Sequence, residues 1–500
     1  MTPPPQRTTE NHPLLELIPL NELTLPQQAF TNASGLSLYR FLQEPTHLQE
    51  FDGMKLLGIG RPNDTVLRLG ESSIQNSDIP GKRVYLTIDP HSPSERKCVI
   101  YGTTDAAIAE TMTFFASLKD DARTSQLVTE SYPKEDEPHL RFDFTVLQPE
   151  QLARILDANP RRRYRLQTGV WNSTLSVVLA TCPYPLQLTL VSTQGEWGDF
   201  CFQDEGTRFV QALQERQTPF GSLELTFVKD GMPLSPANLE QLLQLENCLN
   251  KLSLSSLEKE LAILPFTAKV QALEYVVNAC DLPSTAFDGL IIPAKDLELR
   301  MFVKPEDNDW GSLAVSFFHR LAELGHLEQL TFSVEDRNWQ VRELARDAAA
   351  RVAEALVGAI GANPRLKFLN IGGTSYCLDW DPYMKLLFRA LETHPGMRTL
   401  LIRNYPKFED PYYEWLWKLL NCNRRITVHN AFGFLITDNC CLDRLYALNR
   451  FYCGSANLVE EESIESRSCL VAMALAGSAL GNFRYTALLL LNHTDVLCGF

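Results

Sequence analysis

Short apolar triplets with one fixed spacing recur along the chain. Leu366, Leu369 and Ile371 lie three and then two residues apart, the spacing of a short strand entered from a bend. Met397, Leu400 and Ile402 repeat it, as do Leu327, Leu330 and Phe332, then Leu249, Leu252 and Leu254, and Phe220, Leu223 and Leu225. Fainter copies are Val270, Leu273 and Tyr275, Leu297 with Leu299, Leu186 with Leu188, and Ile426 with Val428. The middle residues, Leu186 through Ile426, are 21 to 39 positions apart, enough for one strand and one helix per unit.

Helical periodicity fills the intervals. Val341, Leu344, Ala348, Val352, Leu356 and Ile360 recur at three or four residues and make one apolar face. Asp381-Pro382, Asp410-Pro411 and Ser235-Pro236 read as helix starts, each a capping side chain followed by a proline whose missing N–H costs nothing in the first turn. Asn159-Pro160 and Asn363-Pro364 read as helix ends, because proline disfavours helical geometry in the residue before it. A single strand–helix unit cannot bury its apolar face, whereas parallel neighbours can.

The pattern over residues 141–430 resembles the leucine-rich repeat superfamily in its helix-containing, ribonuclease-inhibitor-like form, with asparagine after the strand in some units, as at Asn404 and Asn430. FTVLQPEQLARILDANP, LDWDPYMKLLFRAL, LDRLYALNRFYCGSANL and ALLLLNHTDVLCGF are similar to a functionally undescribed group of leucine-rich-repeat-like proteins of diatoms. The resemblance implies an α/β fold, an irregular solenoid with parallel strands inside and helices outside.

Outside that block the texture changes. Residues 1–30, opening with proline and threonine, read as a flexible tail, and 31–140 as an N-terminal cap or small α/β module. In the latter KRVYLTIDP and RKCVIYGTTD are neighbouring strands, Asp105 to Leu118 a helix, and Leu140 to Val146 a strand. Residues 431–500 read as a helical C-terminal cap, needed because a stack must cover its last unit with something that asks for no further neighbour.

Composition narrows the function. With 500 residues, 45% of them hydrophobic, the chain has a core, and its formal charge of −15 argues against nucleic acid or an anionic membrane as partner. The basic run Arg161, Arg162, Arg163 and Arg165 is the local exception, read mainly as a solvated loop and strand face. Nothing resembles a signal peptide or a membrane span, so a cytoplasmic or nuclear location is expected. The 12 cysteines form no C-x-x-C pair and read as buried free thiols; adjacent Cys440 and Cys441 are poorly placed to chelate one metal.

No motif assembles catalysis, a metal site or a cofactor site, and we expect none of the three. The 9 histidines fit no zinc spacing. Cys377 beside Asp379 and Asp381 is the most suggestive piece, but carboxylates disfavour its thiolate. Strand alternation instead puts Gln187, Glu224, Ser253, Glu274, Glu298, Thr331, Asn370 and Leu401 in one concave column. Thr189, Thr226, Ser255, Val276, Arg300, Ser333, Gly372 and Arg403 fill the next. Within NYPKFEDPYYEWLWKLL, Tyr413 and Trp417 mark a candidate aromatic patch. The expectation is a non-enzymatic scaffold that binds a protein partner on its concave sheet. Two other readings are a substrate-recognition subunit of a ubiquitin ligase and, more remotely, a hydrolase.

Overall fold

All of the triplet residues named above are buried, and strand register shows how. A computed structural model describes residues 14–52, 56–70, 79, 81–89, 95–120, 125–130, 140–192, 199–228, 231–304, 309–336, 346–373, 378–461, 464–478 and 483–497. The fold is α/β, with open, extended sheets flanked by helices in a solenoid-like succession. Two compact units divide the chain, Met1–Gln271 and Ala272–Phe500.

In the first unit, parallel strands Gln126–Glu130, Arg163–Leu166, Leu186–Ser192, Gly221–Phe227 and Leu249–Leu254 lie side by side. The sheet continues without a break into antiparallel strands, since Gln126–Glu130 also pairs with Lys82–Ile88, and that strand with Arg96–Gly102. The buried central row runs Tyr164, Leu188, Leu223 and Leu252. Helices Asp105–Ala116, Pro149–Ala158, Ser173–Thr181, Thr207–Glu215 and Pro236–Leu243 follow successive steps. Phe209, Val210 and Leu213 are the buried face of Thr207–Glu215, each removing roughly 1.5–3 kcal/mol of apolar surface from water.

In the second unit the strands Ala272–Asn278, Asp296–Val303, Gln329–Asp336, Phe368–Asn370, Thr399–Ile402 and Thr427–Asn430 all pair in parallel. Their central row is Leu273, Leu297, Leu330, Leu369, Leu400 and Val428. Helices Trp310–Leu324, Arg346–Ala362, Met384–Leu391 and Glu414–Cys422 alternate with the later strands, and Cys441–Glu461, Ile464–Ser478, Phe483–Asn492 and Thr494–Leu497 close the chain. Phe287, Phe317, Phe318 and Phe332 form an aromatic core, ring to ring at 4.8 to 5.9 Å.

Register corrects the two ends of the expected row. Leu188 and Val428 hold the middle positions assigned to Leu186 and Ile426. A two-residue slip keeps the same face buried, so hydrophobicity alone does not distinguish the phases. The tail reading also fails for residues 14–30: Leu15–Leu17 is a strand paired with Leu38–Phe41, and Leu25–Ser34 a helix that buries Phe30. Residues 1–13 lie outside the described residues, as do Val341, Leu344 and Cys377.

Leu140–Val146 is not a strand. Asp143 accepts from the Thr145 amide at 2.9 Å, and this local bond favours the 3-10 turn Phe144–Val146 over a ladder. Ser235 caps its helix as expected, receiving the Asn238 amide at 3.3 Å. Asp410 caps from further upstream, taking the amides of Glu414 at 2.9 Å and Trp415 at 2.8 Å. Asp381 caps nothing; its own amide donates to Asp379 at 3.1 Å, and a 3-10 turn precedes the Met384–Leu391 helix.

The buried-thiol expectation holds for Cys98, Cys182 and Cys248, whereas Cys201, Cys280, Cys422, Cys440 and Cys441 are exposed. In the basic run, Arg162 is buried rather than solvated. Its guanidinium donates to the Ala116 carbonyl at 2.6 Å and the Leu118 carbonyl at 3.2 Å, closing the end of the Asp105–Ala116 helix, with Asp120 at 4.0 Å.

Candidate functional site

The sheet face turned away from the helices brings the expected residues into rows. In the first unit Arg165, Thr189, Glu224 and Ser253 stand in register, beside a second row of Arg163, Gln187, Ser222 and Lys251. Thr189, not Gln187, is therefore the neighbour of Glu224. Glu224 is fixed by two hydroxyls, accepting from Thr189 at 3.0 Å and from Thr226 at 3.1 Å. Ser255 lies past the end of its strand, where its hydroxyl accepts from the Phe227 amide at 3.1 Å.

The second unit carries a longer row, Glu274, Glu298, Thr331, Asn370, Leu401 and His429, and a shorter one, Val276, Arg300 and Ser333. Glu274 and Glu298 are direct cross-strand neighbours, a repulsive placement in isolation. Arg300 relieves it, donating from Nε at 2.9 Å and Nη2 at 2.7 Å to one oxygen of Glu298. Burial opposes the charge of Arg300, but Glu298, Glu335 and Glu274 outweigh it and raise its pKa. Ser333 is not accessible as expected; it is buried and donates to Glu335 at 3.1 Å. Asn370 accepts from the Gly372 amide at 2.9 Å while remaining half-exposed.

Beyond the strand ends, Arg403 is the cation among Asp379, Asp381 and Glu409. Burial first, then Asp379 and Glu409, pushes the Asp381 carboxyl up to about 6, with Arg403 opposing. Tyr413 is half-buried, stacked on Tyr405 at 4.5 Å between ring centres and held at a φ of 58°. Trp417 is 53% exposed, as a patch residue should be. Tyr413 lies just outside the helix, which begins at Glu414 and buries Leu416, Leu419 and Leu420.

Other aromatic residues are more exposed than Trp417. Phe408 is 99% exposed, Tyr412 82%, Phe432 81% and Phe434 70%. They sit in the loops that leave the adjacent parallel strands Thr399–Ile402 and Thr427–Asn430 at the same end. Asn430 presents two of them by accepting the amides of Phe432 and Phe434, each at 3.0 Å. Sequence inspection saw the density of aromatics around Phe408; which of them face water depends on where the helix starts.

A second feature was anticipated only at His394, which follows a helix where histidine commonly meets helix-end carbonyls. Side chains at the helix-to-strand corners reach back to the carbonyls that end an earlier helix. Asn159 donates to Leu118 at 2.8 Å, Asn363 to Leu321 at 3.0 Å and Asn423 to Leu391 at 2.9 Å. His394 does the same toward Ile360 and Asn363, both 3.1 Å from Nε2, while its Nδ1 accepts the Met397 amide at 3.0 Å. That set fixes the neutral, Nε2-protonated tautomer, and burial lowers the pKa. The visible signal was asparagine two residues before arginine, at Asn159, Asn363 and Asn423. These corners are packed too closely for side chains at Gly396, where a Cβ would come within 2.3 Å of the Pro364 carbonyl.

Among the described residues no three His, Cys, Asp or Glu side chains converge as metal ligands, and no helix is long and apolar enough to cross a membrane. No protein-family model matches the chain, and no curated protein matches it in sequence.

Proposed function

We propose that the protein is a leucine-rich-repeat-like interaction scaffold that binds a protein partner on the open sheet face of its second unit. The observation that carries this reading is the combination on that face and its rim. Registered rows of polar side chains, half-exposed Glu274, Glu298, Thr331 and Asn370 with exposed Arg300, share one parallel sheet with the strands Thr399–Ile402 and Thr427–Asn430, whose loops hold the exposed aromatics. Charged rows set orientation and discriminate among partners, while aromatic and arginine anchors supply most of an interface's energy. On this reading Arg300, Phe408 and Phe432 are the anchors. Glu224, Thr226 and Ser253 belong to the first unit's own face and are a separate, weaker candidate because Glu224 is already satisfied within the sheet.

The test is affinity capture from cell extract with three proteins: the unaltered chain, a Glu274→Ala/Glu298→Ala/Arg300→Ala variant, and a Glu224→Ala/Ser253→Ala variant. The expected result is a partner held by the unaltered chain and the second variant and lost from the first. Equal recovery with all three would reject the assignment of the second unit's face.

A further inference from the structure

Two adjacent, exposed thiols stand at the start of the Cys441–Glu461 helix, with Sγ of Cys440 and Cys441 4.0 Å apart. Asp438 caps this start, accepting from the amides of Cys440 at 2.9 Å, Cys441 at 3.2 Å and Leu442 at 2.9 Å. The other described exposed cysteines, Cys201, Cys280 and Cys422, are far apart in sequence. Sequence reading dismissed the pair as a metal chelate; a two-sulfur reaction asks less of it.

We infer that Cys440 and Cys441 form a two-electron redox site that closes to an intra-pair disulfide on exchange with a small disulfide. One protein thiolate attacks a sulfur of the reagent, whose S–S bond breaks and releases one small thiol. The neighbouring thiolate then attacks the first cysteine's own sulfur in this mixed disulfide and expels the second small thiol. Two protein thiols are oxidised, one small disulfide is reduced to two thiols, and the two protons lost by the protein end on them.

Geometry sets both the selectivity and the reversibility. A mixed disulfide on either residue has a second thiol beside it, so closure outruns further intermolecular exchange. Adjacent Cα atoms lie about 3.8 Å apart across a trans peptide, below the usual span of about 4.4 to 6.8 Å for a disulfide. The bridge is consequently strained and easily reduced, as regulatory rather than structural disulfides are. Its ring also turns the peptide between the two residues, pulling their amides from Asp438 and loosening the first turn of a helix anchored by buried Leu442 and Tyr446. The neighbouring thiol and Asp438 raise the pKa of Cys441, which keeps the pair from reacting indiscriminately.

The full chain is equilibrated with oxidised and reduced glutathione at graded ratios, quenched in acid, digested and weighed. The expected fragment containing both residues is two hydrogens lighter and free of glutathione at ratios where Cys422 carries an adduct. A Cys440→Ser variant should instead retain glutathione on Cys441, and reductant should restore both proteins. Stable glutathione on Cys440 or Cys441 of the unaltered chain would overturn the inference. So would two free thiols at the ratio that modifies the Cys440→Ser variant, or a bridge from either residue to another cysteine.

Discussion

The two units bury the same kind of row and expose opposite charges. Tyr164, Leu188, Leu223 and Leu252 in the first unit correspond in kind to Leu273, Leu297, Leu330 and Leu369 in the second. On the open face the first unit sets Arg163, Arg165 and Lys251 against Glu224, whereas the second sets Asp296, Glu274, Glu298 and Glu335 against Arg300. Packing against helices constrains one face to large apolar side chains at period two. Nothing comparable constrains the other, so the sign of its charge is free to follow a ligand.

If the buried rows are equivalent, Leu223→Ala and Leu330→Ala should each cost about 3 kcal/mol in chemical denaturation. A cost confined to one of them would break the equivalence. The corners, by contrast, should separate the units, by about 1 kcal/mol. Asn363 makes three buried bonds, two donated to Leu321 and Ala359 and one accepted from Leu327, so Asn363→Ala should cost about 3 kcal/mol. Asn159 donates to Leu118 and accepts from Asp120, and Asn159→Ala should cost about 2 kcal/mol by the same measurement.

A pH effect is expected at Asp381 in the second unit. The Asp381 carboxyl is raised from 3.8 to about 6, so its charged form is disfavoured in the folded chain. Its contribution to stability is full below the unfolded value and lost as pH rises through about 6. Asp381→Asn should therefore denature later than the unaltered chain at pH 7.5, with the gap closing as the pH falls toward 4; an equal gap at both ends would contradict the assignment. The smallest effect is expected on the open face, where Thr331→Ala and Asn370→Ala should each change stability by no more than about 1 kcal/mol. Larger losses there would mean that the face is built for folding rather than for binding.

Much of this fold was legible because burial has a period. The triplets gave the strands, and the helices between them followed from the three-and-four spacing of residues such as Val352 and Leu356. Phase was harder. Leu186 and Leu188 are both buried, and only hydrogen bonding to Leu223 tells which is central. Ser333 was unreadable for a related reason: alternation puts it on the open face, yet its neighbours cover it. The exposed aromatics depended on Asp410 delaying its helix to Glu414, a capping choice that composition does not reveal. Asn159 and Asn363 were seen as helix ends, but their reach to Leu118 and Leu321 spans 41 and 42 residues and has no local signature.

Amide hydrogen exchange of the chain, free and with a captured partner, tests the binding account most directly. Protection should appear in the strands from Ala272 to Ile402 and in the loops holding Phe408 and Phe432, with the helices Trp310–Leu324 and Arg346–Ala362 unchanged. Protection of those helices, with the strands and aromatic loops exchanging as before, would place the partner on the opposite side and contradict it.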